Sequence, residues 1–258
     1  MSKILVLPDI HGRKFWKQPC EKNEEYDKIV FLGDYFDPYE FEGITVEDAI
    51  ENFKEIMSFA VDNPKVVMLL GNHDEPYFSK EYYALSKWHC RHSTVHHDEI
   101  SMLFDEHRDL FKLAYTQDNV LFTHAGCISD WLNFVFDYKY EKTLDLDELC
   151  NDLNNLVKTE RGLWNLYMVS SYRGGDEPFG SCIWADVREI YWNIQNAING
   201  KYEPIYGVNQ VFGHTLQAYS DGNGGYEFGK PIEVKNLKMI DNASAYLLDT
   251  DDFTITKL

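Results

Sequence analysis

The stretch of sequence that decides the fold reads IVFLGDYFD and covers residues 29–37. It starts with four apolar residues, turns at Gly33 and continues directly into Asp34 and Asp37. A short apolar run that ends in a turn residue predicts a β-strand buried on both faces. Four other runs end in the same way: residues 4–8 lead into Asp9 and His11, residues 66–71 into Asn72, His73 and Asp74, residues 120–123 into His124, and residues 210–213 into His214.

The side chains at these strand ends are of the types that bind metal ions. The carboxyl ends of parallel strands line the ligand crevice of an open α/β sheet, so we expect the strand ends to converge on one spot. A mixture of carboxylate, amide and imidazole groups suits Mn²⁺, Fe or Zn²⁺ better than Ca²⁺, which prefers oxygen ligands alone. Asp34, from the middle strand, can bridge two ions. Two ions ~3.5–4 Å apart can hold both the attacking and the leaving oxygen of an in-line displacement.

The rest of the pattern indicates an α/β fold in which two packed mixed β-sheets are flanked by helices. Further strands are predicted over residues 245–248 and 253–255, and helices over residues 46–60, 75–114 and 146–157. Thr45 followed by Asp48 predicts a capped start for one helix. Asp74 is expected to cap the segment that follows it, and the alternative is a metal ligand or a group that bonds to the ligands. Strand–helix alternation followed by a strand-rich tail predicts two sheets with the helices outside.

Five short segments carry a resemblance to a known family. They read DIHG at residues 9–12, GDYFD at 33–37, GNHD at 71–74, HAG at 124–126 and GHT at 213–215. In this order they resemble the signature blocks of calcineurin-like metallophosphoesterases. Five blocks in the right order are far more specific than any one of them. The resemblance implies hydrolysis of phosphate esters and the four-layer sandwich of that superfamily.

The resemblance also implies a role for each matched position. The implied metal ligands are Asp9 and His11 for a first ion, Asp34 between both ions, and Asn72, His124 and His214 for a second ion. His73 would be the general acid that protonates the leaving oxygen, and Asp37 would orient it. The implied cofactor is a pair of divalent ions, which we expect to be Mn²⁺, with Fe or Zn²⁺ as alternatives. A hydroxide held between the ions would attack phosphorus.

Two departures bear on the subtype and on the substrate. Leu216 stands where many members have a second histidine, and the HAG segment resembles the phosphoprotein-phosphatase branch, which includes serine/threonine phosphatases and bacterial dinucleoside tetraphosphatases. Pro38 stands where that branch has an arginine that grips the substrate phosphate. Arg173 and Arg188 are the candidate replacements because a guanidinium fork matches a phosphate. Surface salt bridges are the alternative explanation for both.

Charge and cysteine content bound the partners and the compartment. The formal net charge of -19 argues against a nucleic-acid partner, since such proteins carry a basic footprint. The five cysteines form no C-x-x-C pair, so neither a disulfide framework nor a zinc ribbon is expected and a reducing cytosol fits. The sequence contains no apolar run of the ~20 residues that a membrane helix needs. We therefore expect a cytoplasmic protein with a phosphorylated substrate and no membrane partner.

The expected organisation is one domain over residues 1–258, with a helical insert around residues 125–205 that forms the substrate wall. Three functions are compatible with the sequence. The first is hydrolysis of phosphate monoesters, on a phosphoprotein or a small phosphoester, by a binuclear metal centre. The alternative is hydrolysis of a nucleotide anhydride or phosphodiester, such as a dinucleoside polyphosphate or cyclic nucleotide, and it is motivated by Pro38. The third is an inactive scaffold that binds a protein partner.

Overall fold

Each strand predicted from an apolar run is present, with small shifts at its ends. The structure is a computed structural model that describes residues 2–80, 82–83, 90–198, 204–222 and 226–258. Its strands are β1 Lys3–Leu7, β2 Lys28–Phe31, β3 Val66–Leu69, β4 Phe111–Lys112, β5 Ala114–Gln117, β6 Val120–Thr123, β7 Asn209–Phe212, β8 Ala218–Ser220, β9 Tyr226–Phe228, β10 Ile232–Val234, β11 Leu237–Met239, β12 Tyr246–Asp249 and β13 Thr254–Lys257.

Along the chain, most of the described helices come between two strands. They are α1 Lys17–Cys20, α2 Val46–Ala60, α3 Glu75–Phe78, α4 His97–Glu106, α5 Ser129–Phe136, α6 Leu146–Asn155, α7 Glu160–Leu166 and α8 Val187–Ile198. The predicted capping box is confirmed at the start of α2, where the Thr45 hydroxyl accepts from the Asp48 N–H and the Asp48 carboxylate accepts from the Thr45 N–H. None of the described helices is long and apolar enough to cross a membrane.

The first sheet has the strand order β13-β12-β1-β2-β3-β4. Strands β1 to β4 are parallel, whereas β12 and β13 join as antiparallel strands at one edge. The second sheet has the order β10-β11-β7-β6-β5, and its three central strands, β11, β7 and β6, are parallel. The strands β8 and β9 form a separate two-stranded antiparallel sheet. Both sheets therefore present several parallel carboxyl ends.

Alternate residues of the strands face two different interiors, which places the helices outside the paired sheets. Ile4 and Val6 of β1 belong to a core that also contains Phe122 of β6 and Val211 of β7, so this core lies between the sheets. Leu5 and its alternate neighbours belong to the larger core, which takes in the apolar face of α2 and residues of α8. The α/β arrangement of two mixed sheets flanked by helices is thus confirmed.

The helical prediction for residues 75–114 is correct only in part. Helices α3 and α4 lie in this range, but Phe111–Lys112 forms β4 and β5 begins at Ala114. Phe111 pairs with Met68 and extends the first sheet, so pairing with a neighbouring strand decides the conformation. Residue 81 and residues 84–89 lie outside the described residues.

Candidate metal centre

The candidate metal-binding residues meet at the carboxyl ends of parallel strands from both sheets. Those brought together are Asp9 and His11 after β1, Asp34 after β2, Asn72 and His73 after β3, His124 after β6 and His214 after β7. These residues are buried, apart from His73, whose side chain is 12% exposed. The convergence expected from the strand ends is therefore present as a geometric fact.

His124, Asn72 and His214 form a tight group in which two acceptor atoms, His124 Nε2 and Asn72 Oδ1, face each other. The Nδ1–H of His124 donates to the Leu32 carbonyl at 2.8 Å, which leaves a lone pair on its Nε2 atom. That Nε2 lies 3.0 Å from Asn72 Oδ1 and 3.1 Å from His214 Nδ1. Burial lowers the pKa of both histidines, so they are held neutral. A cation between these atoms satisfies them.

Asp34 lies between His11, a candidate ligand of the first ion, and His124, a candidate ligand of the second ion. The Nδ1–H of His11 donates to the Phe36 carbonyl at 2.7 Å, so the His11 Nε2 atom is free to bind a metal. Asp34 Oδ2 lies 3.4 Å from His11 Nε2 and 3.5 Å from His124 Nε2. Burial opposes the charge of Asp34, but the three surrounding imidazoles outweigh it and lower the pKa to about 2. An anionic carboxylate in this position can bridge two ions.

Asp9 and His214 each keep a buried polar atom that has no hydrogen-bond partner in the described structure. Asp9 Oδ1 accepts from the His214 N–H at 2.9 Å, but Asp9 Oδ2 has no partner. The Nε2 atom of His214 also has none. Buried polar groups are normally satisfied, and leaving them unpaired costs free energy. These orphaned atoms, together with the facing acceptors around His124, fit a centre that binds divalent cations.

His73 and Asp37 form a pair beside this group. The Nδ1 atom of His73 lies 3.0 Å from Asp37 Oδ2, while Asp37 Oδ1 accepts from the Tyr77 hydroxyl at 2.6 Å. The His73 Nδ1 atom also lies 3.0 Å from the Arg91 carbonyl. Burial opposes a charge on His73, but Cys90, Asp34 and the Asp37 hydrogen bond outweigh it, so the pKa of His73 is well above its ordinary value. The contact with Asp37 and the raised pKa both favour a protonated imidazole.

The site depends on backbone conformations that L-residues rarely adopt. His11, Asp34, Asp37 and His214 all have positive φ, between 44° and 69°. Such strain is commonly found at functional sites, where the surrounding structure holds it in place. Glycine supplies the remaining space, because a Cβ at Gly213 would overlap the Asp9 carboxylate.

Asp74 does not cap the following helix as the sequence predicted. It occupies the N-cap position immediately before α3, but its carboxylate makes no capping bond there. Instead Oδ2 accepts from the N–H groups of Asp34 and Gly71 at 2.6 and 2.8 Å, and Oδ1 accepts from the Tyr35 N–H at 2.9 Å. The carboxylate therefore ties the loop after β2 to the loop after β3. Its position fixes Asp34 between the two histidines.

The two candidate arginines occupy different places. Arg173 donates to the carbonyl of His214 at 3.2 Å and also bonds the Thr215 hydroxyl, so it borders the site. Arg188 makes a two-point contact with Asp186 and donates to the Tyr172 carbonyl, and its side chain is 58% exposed. Geometry therefore favours Arg173 over Arg188 as a residue near the metal group.

Sequence reasoning missed two residues beside the site. Arg91 donates to the Asp37 carbonyl at 3.2 Å, and its guanidinium lies 3.9 Å above the Tyr39 ring, which itself packs edge-on against His11. Asp241 is buried two residues beyond β11, and its charge raises the pKa of Asp9. No local signal marks Arg91, because it reaches the site across the fold. Asp241 follows an apolar strand, but Lys238 interrupts that run.

The similarity of the chain to known proteins establishes its family. A family model for calcineurin-like phosphoesterases matches residues 2–218, which is most of the chain. The chain belongs to this family. It is a metal-dependent phosphoesterase, in agreement with the resemblance of the five segments. No curated protein matches the sequence. The crystal structure of a metallophosphoesterase from Sphaerobacter thermophilus is similar over 99% of this chain and 88% of that chain, at 11% identity and a TM-score of 0.46, and the family assignment does not rest on it.

Proposed function

We propose that this phosphoesterase hydrolyses phosphate monoesters, on a phosphoprotein or a small molecule, with a binuclear centre. The observation that carries the proposal is the position of Asp34, whose Oδ2 atom lies 3.4 and 3.5 Å from two neutral imidazole nitrogens. His11 and His124 approach it from opposite ligand groups. One ion would be held by Asp9, His11 and Asp34, and the other by Asp34 and the group of Asn72, His124 and His214.

The ligand set supports a borderline transition metal. Imidazole nitrogens mixed with carboxylate and amide oxygens suit Mn²⁺, and Fe or Zn²⁺ are the alternatives. When bound, such ions lower the pKa of water and neutralise charge on the phosphoryl oxygens. The five cysteines are buried and unpaired, which supports the reducing cytosol expected from the sequence.

The protein's own contribution to bond cleavage centres on His73. With its Nδ1 bonded to Asp37, the imidazole presents its Nε2–H and can donate that proton to the leaving oxygen. Asp37 is fixed in turn by the Tyr77 hydroxyl. The departing alkoxide is a strong base, so proton donation matters most for substrates with poor leaving groups. The raised pKa of His73 keeps this proton in place at neutral pH.

Arg91 and Arg173 are the groups proposed to hold the phosphate. The Arg91 guanidinium lies against the Asp37 carbonyl and the Tyr39 ring, so it can stand in for the arginine that Pro38 replaces. Within the described residues it has no carboxylate partner. Arg173 approaches from the side of His214. Two guanidinium groups suit the terminal dianionic phosphate of a monoester.

The insert predicted around residues 125–205 contributes one wall of the site, at residues 170–186. The Trp184 ring packs edge-on against His214, with the ring centres 5.7 Å apart, and its indole N–H donates to the Tyr82 hydroxyl. The Cys182 carbonyl accepts from the Ala125 N–H, next to His124. We propose that this wall selects the substrate, and that residues 1–258 act as one domain.

Hydrolysis of a nucleotide anhydride or phosphodiester is the second candidate. Pro38 favours it, because the loss of an arginine from that loop weakens binding of a dianion more than binding of a monoanionic diester. The position of Arg91 argues for the monoester. The two candidate functions therefore share the proposed metal centre and differ in the residues that would surround the substrate phosphate.

A substrate panel separates these candidates. Metal-stripped protein refilled with Mn²⁺ is assayed on p-nitrophenyl phosphate, bis-p-nitrophenyl phosphate and a dinucleoside tetraphosphate. The monoester is expected to be turned over fastest. Asp34→Asn removes the proposed bridge and is expected to abolish turnover, whereas the exposed Asp48→Asn is the matched control. Faster hydrolysis of the diester or the anhydride would select the second candidate, and silence of wild-type protein on all three would favour the scaffold.

A further inference from the structure

A further strand of the second sheet ends at the metal centre. Strand β11 is parallel to β7, and Met239 pairs with Phe212. His214 follows Phe212 by two residues, and Asp241 follows Met239 by two residues. Both therefore lie just beyond the carboxyl ends of neighbouring parallel strands. The Ile240 N–H donates to the Phe212 carbonyl, which continues this register towards Asp241. The fold thus delivers a carboxylate next to a candidate metal ligand.

The Asp241 side chain has no hydrogen-bond partner among the described residues. It is 1% exposed, and both of its carboxylate oxygens lack a partner. Protonation does not solve the problem, because a carboxylic acid hydroxyl also needs an acceptor. A buried carboxylate without partners costs free energy unless a cation compensates it.

The nearby cationic side chains, Arg13 and Arg173, contact groups other than the Asp241 carboxylate. Arg13 binds both carboxylate oxygens of Glu42, at 2.7 and 2.8 Å, and donates to the Asp9 carbonyl. Arg173 contacts Asp186, Thr215 and the His214 carbonyl. Neither donates a hydrogen bond to Asp241. The neighbouring Asp9 also keeps one orphaned oxygen, Oδ2.

We propose that Asp241 is a carboxylate ligand of the divalent ion that Asp9 also holds. Two buried carboxylates with unpartnered oxygens, placed at the carboxyl ends of parallel strands, are groups that a divalent cation would satisfy. The added carboxylate makes this side of the centre richer in oxygen than the side of His124 and His214. This inference rests on the proposed binuclear centre and extends its ligand set by one residue.

Metal binding to the purified protein tests the proposal. Metal-free wild type, Asp241→Asn and the control Asp249→Asn are titrated with Mn²⁺ by calorimetry, and bound metal is counted after dialysis. Asp249 ends β12 of the first sheet, which runs antiparallel to β1 and pairs Asp249 with Lys3, so this control removes the same charge at the end of that sheet remote from the carboxyl ends of its parallel strands. Asp241→Asn is expected to weaken one of two sites by more than about tenfold, since loss of an outer-shell partner alone costs ~10–100-fold. Asp249→Asn is expected to match wild type.

The outcomes separate this inference from the proposed function. Wild type that binds no metal would overturn both. Wild type and Asp241→Asn that each bind two ions with equal affinity would overturn the Asp241 assignment alone.

A spectroscopic variant tests direct ligation. In Asp241→Cys loaded with Co²⁺, a thiolate ligand is expected to produce an intense sulfur-to-cobalt charge-transfer band in the near ultraviolet. Wild type and Asp249→Cys, loaded in the same way, are expected to lack it. Folding of each protein is followed by circular dichroism. A Co²⁺-loaded Asp241→Cys protein without the band would overturn the proposal, even where Asp241→Asn fails to fold.

Discussion

The Nδ1 atom of His73 lies 3.0 Å from Oδ2 of Asp37, and Asp37 is itself fixed by the Tyr77 hydroxyl at 2.6 Å. This chain of contacts places the Nδ1–H of His73 on Asp37 and leaves the other ring nitrogen, Nε2, for the candidate metal centre. Under the proposed function, Asp34 and its neighbours would hold the ions, whereas His73 would protonate the leaving group.

Replacing His73 should slow chemistry without emptying the site. His73→Asn is expected to reduce turnover by the ~10²–10⁴-fold typical of general acid catalysis, while the metal content stays that of wild type. The loss should be larger for an alkyl phosphate than for p-nitrophenyl phosphate, whose leaving group needs no proton. His107→Asn, on the end of α4, serves as the control. An equal loss on both substrates would argue against the acid role.

Asp37 should set the pH at which the acid is lost. Its hydrogen bond is one of the contacts that raise the pKa of His73, so Asp37→Asn is expected to lower that pKa. His73 would then lose its proton at a lower pH, and the decrease of kcat at high pH should begin at a lower pH than in wild type. Tyr77→Phe keeps the carboxylate and should shift this decrease less. Superimposable profiles for Asp37→Asn and wild type would contradict the pairing.

The Asp74 carboxylate should be a structural requirement of the site. Asp74→Asn replaces one acceptor oxygen with an amide NH₂, which leaves at least one of three buried N–H groups without a partner. Each orphaned group costs about 1–3 kcal/mol. Thermal denaturation should show a lower Tm and weaker Mn²⁺ binding. Asp145→Asn, which makes the same change at the exposed N-cap of α6 but keeps an oxygen that can accept the capping bonds, should lower Tm less and leave Mn²⁺ binding unchanged. Equal effects of the two variants on metal affinity would count against this role.

Glu75 should make stability fall as pH rises. It is fully buried with no partner for either oxygen among the described residues, and burial raises its pKa to about 8 from 4.5. Between those values the folded protein keeps a proton that the unfolded chain has lost, so the free energy of unfolding decreases through this window. Glu75→Gln should remove that part of the slope in denaturant titrations of metal-free protein. Glu106→Gln should keep it, and parallel curves for Glu75→Gln and wild type would refute the assignment.

Arg91 should act on substrate binding. Arg91→Ala is expected to raise KM for a monoester and weaken inhibition by inorganic phosphate, with metal content unchanged, since the guanidinium contacts no candidate ligand directly. Arg161→Ala, on α7, is the control. An unchanged KM would show that the phosphate is held elsewhere.

Strand ends could be predicted from the sequence because apolar runs and the residues that follow them are local features. Asp9, Asp34 and His124 each come directly after such a run. The resemblance of the five segments implied a role for each matched residue, and the fold brings the implied metal ligands close together. Even the capping box at Thr45 and Asp48 follows from a local rule.

The rest depends on contacts between distant parts of the chain. Asp74 occupies a helix-cap position, but two loops offer it three N–H groups, which only the folded arrangement reveals. Phe111 is extended in β4 because it pairs with Met68 of β3, a contact between distant parts of the chain. Arg91 and Asp241 reach the site through the fold alone. The positive φ of His11 and Asp34 likewise reflects surrounding structure and has no sequence signature.

The central claim is that Asp34 organises two metal ions for phosphate ester hydrolysis. It is tested most directly by titrating metal-free protein with Mn²⁺ while following bound metal and p-nitrophenyl phosphate hydrolysis together. We expect activity to appear as the second ion per chain binds, and Asp34→Asn to lose both binding and turnover. Full activity without metal, or an Asp34→Asn protein that binds and turns over like wild type, would contradict the account.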